Sequence, residues 1–369
     1  MAHGNQQRGP GVRPLGRRRF LQITAAGLGA VALMRTTDGR VAHAQFDELY
    51  RLARAEGQLN LYGGGPTAPF EASGRQFTAA FPGITVNVTG GFSNVLAPEI
   101  DRQIAAGSVE CDVTVLQTLQ DFERWKQQNA LLPFRPDGFD QIPDGFKDPD
   151  ATSVGLRVGA VAFAYNPDRL PEDVVPATAQ DFLDPQLGGL CITCYPQDDD
   201  LTLYRYTTIV DKYGWDWMDA FMVNRPQFIR GHLGVVREIM ADRAGVSFDS
   251  TLSSTLGAQA NGGNITLVIP EADGMPIWAQ GAGIFRAAPH PNAAKLYVSW
   301  LLSRDEQSHL PPGNWPVRQD VPPPAGFRPI LEYNVLNGYR DFVIDEPRLE
   351  DLRRRFEGYV GPVRGEPVI

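Results

Sequence analysis

The sequence predicts an α/β fold made of two domains. At 369 residues the chain is about two domains long. Strand-like and helix-like segments alternate through its first third at a spacing of about 27 residues, as parallel strands with covering helices do. A second α/β run, about 177–270, is set off by two longer apolar stretches, Leu156–Tyr165 and Ile277–Phe285.

Residues 1–44 stand apart from the fold. Gly16-Arg17-Arg18-Arg19-Phe20-Leu21-Gln22 is basic, 23–33 is short, small and apolar, and Ala42-His43-Ala44 offers an A-x-A cleavage site. That is the order of a secretory signal. The arginines followed by Phe-Leu match the twin-arginine export pattern, with Gln22 where Lys is usual. About eleven apolar residues fall well short of the ~20 that span a bilayer. Cleavage after Ala44 and transit through the twin-arginine translocase to the periplasm are therefore expected.

The expected elements follow in order. Phe46–Glu56 is a helix stopped by Gly57. Gln58–Tyr62 alternates as a strand, Gly63–Thr67 is a turn, and Ala68–Phe81 has helical spacing up to Pro82-Gly83. Ile84–Val88 is a strand, Gly90-Gly91 a turn, and Ser93 the cap of a helix to Ala106. Cys111–Leu116 is a strand, and a helix follows Gln117-Thr118 to about Asn129. In the second run, helices are expected near 177–183, 199–213, 215–223 and 231–243, and strands at Leu190–Tyr195 and Ile265–Ile269. Pro291–Leu302 is a helix, 311–330 is proline-rich and irregular, and Leu349–Phe356 is a short terminal helix.

The net charge is -9. Residues 1–44 carry seven arginines against one aspartate, so the mature chain carries -15. Such acidity argues against nucleic-acid binding, which needs a basic face. There are three cysteines, Cys111, Cys191 and Cys194. Cys191 and Cys194 have C-x-x-C spacing but lie on a strand, where residues three apart face opposite ways. A redox dithiol is not expected, and a disulfide through Cys111 is left open. G-x-S-x-G, H-E-x-x-H and Walker motifs are absent from the sequence, so no enzyme is predicted, and no cofactor or resident metal.

Several segments in order resemble a known family. They are Ala53–Gly57 followed by Leu59–Gly63, Phe77–Gly83, Ala164–Pro167, Phe182–Pro185, Ala288–Lys295, Leu302-Ser303 and Glu306-Gln307. Together they resemble solute-binding proteins of ABC importers, extracellular family 1, nearest the ferric-iron branch. The resemblance implies a two-lobed, type II periplasmic-binding-protein fold: 45–156 with about 278–315 as one lobe, and 157–277 with about 316–369 as the other. It implies a monomer that clamps a small-molecule solute between its lobes and delivers it to a permease in the inner membrane.

Ligands of open α/β sheets sit at the carboxyl ends of strands, beside helix N-termini. The first half offers three such points: Gly64, Gly65 and Thr67; Ser93 and Asn94; Gln117 and Thr118. In the second half, Tyr195 precedes Asp198, Asp199 and Asp200 before a helix bearing Tyr204. Those carboxylates suit a cationic or hydroxyl-bearing solute end better than an anionic one, although caps also favour Asp. His232, Asp249 and Trp278 complete the candidate lining, Trp278 as a stacking surface or as hinge packing. The ferric branch uses adjacent tyrosines, and this chain has none: Arg205 separates Tyr204 from Tyr206, about 200° apart on a helix. Iron remains the alternative solute, and a periplasmic enzyme the alternative of another class.

Overall fold

A computed structural model describes residues 37–170 and 172–366, with side chains from Phe46 onward. The twin-arginine segment lies outside the described residues. The chain divides after His43, and Ala44–Ile369 is its main compact unit.

Helix α1 (Thr37–Glu56) ends at Gly57, whose φ of 75° is the left-handed stop that glycine supplies. Three strand–helix units follow: β1 (Gln58–Gly64) with α2 (Thr67–Ala80), β2 (Thr85–Gly91) with α3 (Ser93–Ala105), and β3 (Val113–Leu116) with α4 (Leu119–Gln127). After a loop with two short 3-10 turns comes the long β4 (Val154–Tyr165). Next are β5 (Ile192–Cys194), α5 (Asp200–Tyr213), α6 (Asp216–Val223), β6 (Gln227–Ile229), α7 (His232–Met240), β7 (Val246–Thr251), α8 (Leu252–Ala260) and β8 (Thr266–Val268). The chain then runs through β9 (Met275–Ile284), α9 (Pro291–Leu301), α10 (Arg304–Ser308), β10 (Val335–Leu336), α11 (Tyr339–Ile344) and α12 (Glu346–Val360).

In the first half β1 lies between β2 and β3, all parallel, and β9 returns antiparallel beside β3. β4 changes partners along its length. Val154–Ala160 lies on β9, whereas Val161–Tyr165 lies on β7 and β8. β5 and β6 pair in parallel, and a bridge from Cys191 to Val246 ties them to β7. One eight-stranded sheet, in the order β2-β1-β3-β9-β4-β7 with β10 on β9 and β8 on β4, thus runs from one half to the other through β9 and β4, consistent with a two-lobed type II fold. β4 is covered on both sides, which explains its nearly unbroken apolar sequence.

Each half has its own core. In the first, Leu59, Leu61, Val113 and Val115 pack against Phe70, Phe77 and Tyr297, while Tyr62 and Leu116 pack the other face with Ile100, Phe122 and Trp125. The second is aromatic: Phe163, Phe182, Tyr206, Trp217, Phe221, Phe248 and Phe356.

Several expectations are corrected. The segment near 177–183 is a 3-10 turn, Ala179–Leu183, with a Thr178–Asp181 capping box in place of a longer helix. The terminal helix is about twice as long as expected, Glu346–Val360, with Trp215 stacked on Tyr359 in its added last turn. β7 and α8 were not expected, no element having been assigned between 243 and Ile265, yet every residue of β7 is buried. The return to the second half comes at α11 and not near 316, because Val317 and Ile330 belong to the first core whereas Tyr339 and Phe342 belong to the second. All three cysteines are free and buried, and Cys191 and Cys194 lie in different clusters, as opposite faces of β5 require.

Candidate functional site

In the first half, three strand ends and three helix starts converge. Gly63 pairs with both Gly90 and Val115, which brings Gly64, Gly91 and Leu116 to one level. A Cβ on Gly90 would lie 2.1 Å from Thr67 Oγ1, and one on Gly64 2.3 Å from Ser93 Oγ. The glycines therefore let α2 and α3 start hard against the strand ends. Gly65, at φ 118°, donates its N–H to the Gly91 carbonyl at 2.7 Å. Ser93 Oγ donates to Gln117 Oε1 at 3.1 Å and accepts the Gln117 N–H at 3.2 Å.

Gly64, Gly65, Thr67, Ser93 and Gln117 are thus brought together. Thr118 follows directly, its hydroxyl buried without a partner among the described residues, and Asn94 projects into solvent beside Ser93. The expected capping role of Ser93 is corrected. Phe92 is the cap position, and α2, α3 and α4 all begin without a side-chain cap hydrogen bond. Their leading N–H groups and positive dipole ends are left for something else to satisfy.

The second half is built the same way and finished differently. Asp199 is the N-cap of α5, accepting from the N–H groups of Leu201 and Thr202 at 2.9 Å each. Asp198 forms a two-point pair with Arg230, at 2.7 and 3.0 Å. Asp200 accepts from Arg353 and, at 3.0 Å, from Gln120 Nε2 of α4, a direct link between the halves. The expected opening for a cationic solute end is therefore corrected: each of the three carboxylates already has a partner.

Behind them Asp249, fully buried on β7, accepts from Thr202 Oγ1 at 2.8 Å, the Cys194 N–H at 3.2 Å and Thr193 Oγ1 at 3.3 Å. His232 Nε2 lies 3.1 Å from Asp249 Oδ1, and its Nδ1 3.8 Å from Asp199. Burial alone would discharge this imidazole, but the two carboxylates outweigh it and raise its pKa to about 9. Burial also pushes Asp249 up, yet His232 and the hydroxyl and N–H donors hold it below the usual carboxylate range.

Cys194, His232 and Asp249 bring their donor atoms within 4.8 Å of one another, a soft-to-borderline metal-ligand set by type. Asp249 is already satisfied by four donors, and burial pushes the Cys194 thiol well up. The cluster is a closed His–carboxylate network.

The tyrosines do not form an iron-binding pair. Tyr204 is buried between Tyr339 and Phe342, and its hydroxyl accepts the Gly338 N–H at 3.0 Å. Its expected role as an oxygen donor is corrected, because that oxygen fastens the chain entering α11. Tyr195 is buried against Phe228, with ring centroids 5.5 Å apart. Trp278 lies on β9 opposite Gly159, its ring 2.5 Å from where a Cβ there would stand. It packs on the crossing point and against the second core.

Four residues near this junction escaped sequence reading: Gln120, Arg353, Gln280 and Arg157. For Gln120 and Arg353 the sequence carries no local signal. For Arg157 it does, a lone charge inside an apolar strand.

Residues 72–328 match the model of the bacterial extracellular solute-binding protein family. The chain belongs to that family. A relative from Haemophilus influenzae (strain ATCC 51907 / DSM 11121 / KW20 / Rd), described as an uncharacterized protein, is 23% identical over 268 residues, 69% of this chain and 75% of its own. Among solved structures, iron-bound HitA from Pseudomonas aeruginosa is 17% identical with a TM-score of 0.66, covering 81% of this chain and 99% of its own. The periplasmic binding protein AfuA from Actinobacillus pleuropneumoniae, with fructose-6-phosphate bound, is 17% identical at a TM-score of 0.68, covering 83% and 99%. The substrate binding protein of an ABC transporter from Agrobacterium tumefaciens is 15% identical at 0.69, covering 82% and 94%. At such identities the three establish the shared two-lobed fold of this solute-binding protein.

Proposed function

We propose that the protein is the periplasmic receptor of an ABC importer, which captures a small organic solute between its lobes and presents it to an inner-membrane permease. The observation that carries this reading is the convergence of three uncapped helix starts at Gly64–Thr67, Ser93 and Gln117, linked to the other half through Gln120 and Asp200. A small polar ligand is the natural partner for such unsatisfied N–H groups. Relatives of this fold carry iron or a sugar phosphate in their structures.

The lobes divide along β4 and β9, with α11 and α12 belonging to the second. Export through the twin-arginine translocase, cleavage near Ala44 and a monomeric receptor complete the reading. Among the described residues no helix is long and apolar enough to cross a membrane. The protein acts by binding and release, with no turnover of the solute. Ferric ion is the weaker choice of cargo, since Tyr204 spends its hydroxyl on Gly338 and Tyr195 is buried against Phe228. Purified protein mixed with ferric citrate is expected to stay colourless.

Native mass spectrometry of the protein isolated from its own periplasm tests the proposal. One co-purified solute is expected, and scattering should show compaction when that solute is restored to stripped protein. For the recovered solute, Gln117→Ala and Thr67→Ala are expected to lose roughly 5–150-fold in affinity, the cost of one unpaired polar group, with the ligand-free melting point kept. No bound solute and no compaction would remove the receptor reading.

A further inference from the structure

We propose that Arg157 and Gln280, side by side on the two crossing strands, form an anion-binding floor of the interlobe cleft, and that the captured solute carries an oxyanion group, a carboxylate or phosphate. This rests on the receptor reading for the cleft and names the chemical class of its cargo.

The register sets the location. Gly281 of β9 pairs with Leu116, the last residue of β3, and Gln280 is the next residue outward, opposite Arg157 of β4. Gln280 and Arg157 therefore lie level with Gln117, where the first-half strand ends converge, and directly opposite residues share a face. Arg157 is the one charged residue of β4. It makes no hydrogen bond or ion pair among the described residues, and burial pulls its pKa down, with only the Tyr297 hydroxyl acting in the other direction. That hydroxyl is itself bonded to Ser73 Oγ at 2.9 Å. Gln280 is 4% exposed, and its Nε2 has no partner among the described residues.

A buried, unpartnered amide NH₂ thus stands beside a part-exposed guanidinium without a protein acceptor, and the buried donor costs stability unless something accepts from it. Of the two most buried arginines, Arg318 pairs with Asp320 at 2.8 Å, whereas Arg205 donates only its Nη1, to the Gly274 carbonyl at 3.1 Å, with its Phe163 ring contact beside it. A guanidinium fork beside an amide NH₂ matches the oxygens of a carboxylate or phosphate. The unmet positive ends of α2, α3 and α4 act in the same sense, while Asp198 and Asp200 across the cleft are neutralised by Arg230 and Arg353.

Inorganic phosphate and acetate serve as minimal probes against chloride at equal ionic strength. Thermal melting of the wild-type protein should rise with phosphate or acetate beyond the chloride control, and which of the two acts separates the sources of the oxyanion. Arg157→Met and Gln280→Leu should abolish or weaken that rise, with at least a tenfold loss of probe affinity for Arg157→Met, and Arg157→Lys should keep part of it. Without probe, Arg157→Met should melt at or above the wild type, because an unpaired charge has been removed. A wild-type response no greater than chloride's, a response that survives in Arg157→Met, or a ligand-free Arg157→Met that melts lower would each overturn the proposal. A co-purified solute without carboxylate or phosphate would overturn it while leaving the receptor reading intact. Loss of compaction and of any bound solute would remove the receptor reading, while a phosphate response through Arg157 would still stand.

Discussion

The two jaws use one plan, parallel strands running into helix starts, and differ in how their charged side chains are partnered. On the first, Gly64, Gly90 and Gly91 bring helices against the strand ends, and α2, α3 and α4 begin without side-chain caps. On the second, Asp199 caps α5, Asp198 and Asp200 hold arginines, and Asp249 with His232 closes the network from behind. The first jaw keeps donors available, whereas on the second the carboxylates are satisfied and α5 is capped, although α7 and α8 also begin without side-chain caps. Polar residues at strand ends therefore say little about a ligand until their partners are known. A row of three aspartates is here a set of internal contacts, while glycines and small hydroxyls expose the groups that await a partner.

Breaking the buried pair on the second jaw should have the largest effect. Asp249→Ala leaves a cationic His232 in a buried site with one remaining, more distant carboxylate. A loss of about 3–5 kcal/mol in urea unfolding is expected. A loss under 1 kcal/mol would mean that the network is no more than surface decoration.

The same pair predicts an asymmetric pH profile. His232 has its pKa raised to about 9, so the folded state binds the extra proton. Its stabilisation is complete below the unfolded value near 6.5 and is lost as pH rises through about 9, on the order of 3 kcal/mol in all. Asp249 is depressed, so its contribution is present above the ordinary carboxylate pKa and disappears only in stronger acid. The melting point should therefore fall between pH 7 and 10, and His232→Asn should flatten that fall. An unchanged alkaline limb in the variant would assign the fall to other groups.

On the first jaw, steric closeness is the thing to test. Gly90→Ala places a Cβ against Thr67, whose Cα would be 2.9 Å away, so backbone must move. Overpacking of this kind costs about 1–3 kcal/mol, read as a lower melting point, and should weaken solute binding as well. The smallest effect is expected at the partly exposed Asp198–Arg230 pair. Asp198→Asn should change stability by about 0–1 kcal/mol and leave binding unchanged, because that carboxylate serves Arg230 and not the solute. A large loss of affinity would place it in the site after all.

Much of the fold was legible because its signals are local. Period-two strands, helical spacing and glycine stops marked β1 to β3 with their helices, and the two long apolar stretches became β4 and β9. β7 was not legible, because a strand carrying Ser247, Asp249 and Ser250 becomes wholly interior only when β4, α5 and α7 cover it. The first-jaw residues were legible as turn chemistry, and Gly64, Thr67, Ser93 and Gln117 do meet. Tyr204 and the aspartates were legible as chemistry but not as partners, because Gly338, Arg353 and Arg230 lie far away in sequence.

The sequence by itself determined the class of this protein: an α/β chain with two halves, an acidic mature body and small polar turns at its strand ends. Those properties follow from backbone sterics and apolar periodicity, which act over a few residues. Tertiary structure alone decided which charged groups are satisfied and which are not. Whether Asp200 is free or held by Arg353, and whether Arg157 meets an acceptor or stands bare beside Gln280, depends on pairings across many tens of residues and across the crossing strands. Electrostatic fate is a property of distance in space and of burial, and neither is written in any short stretch of chain.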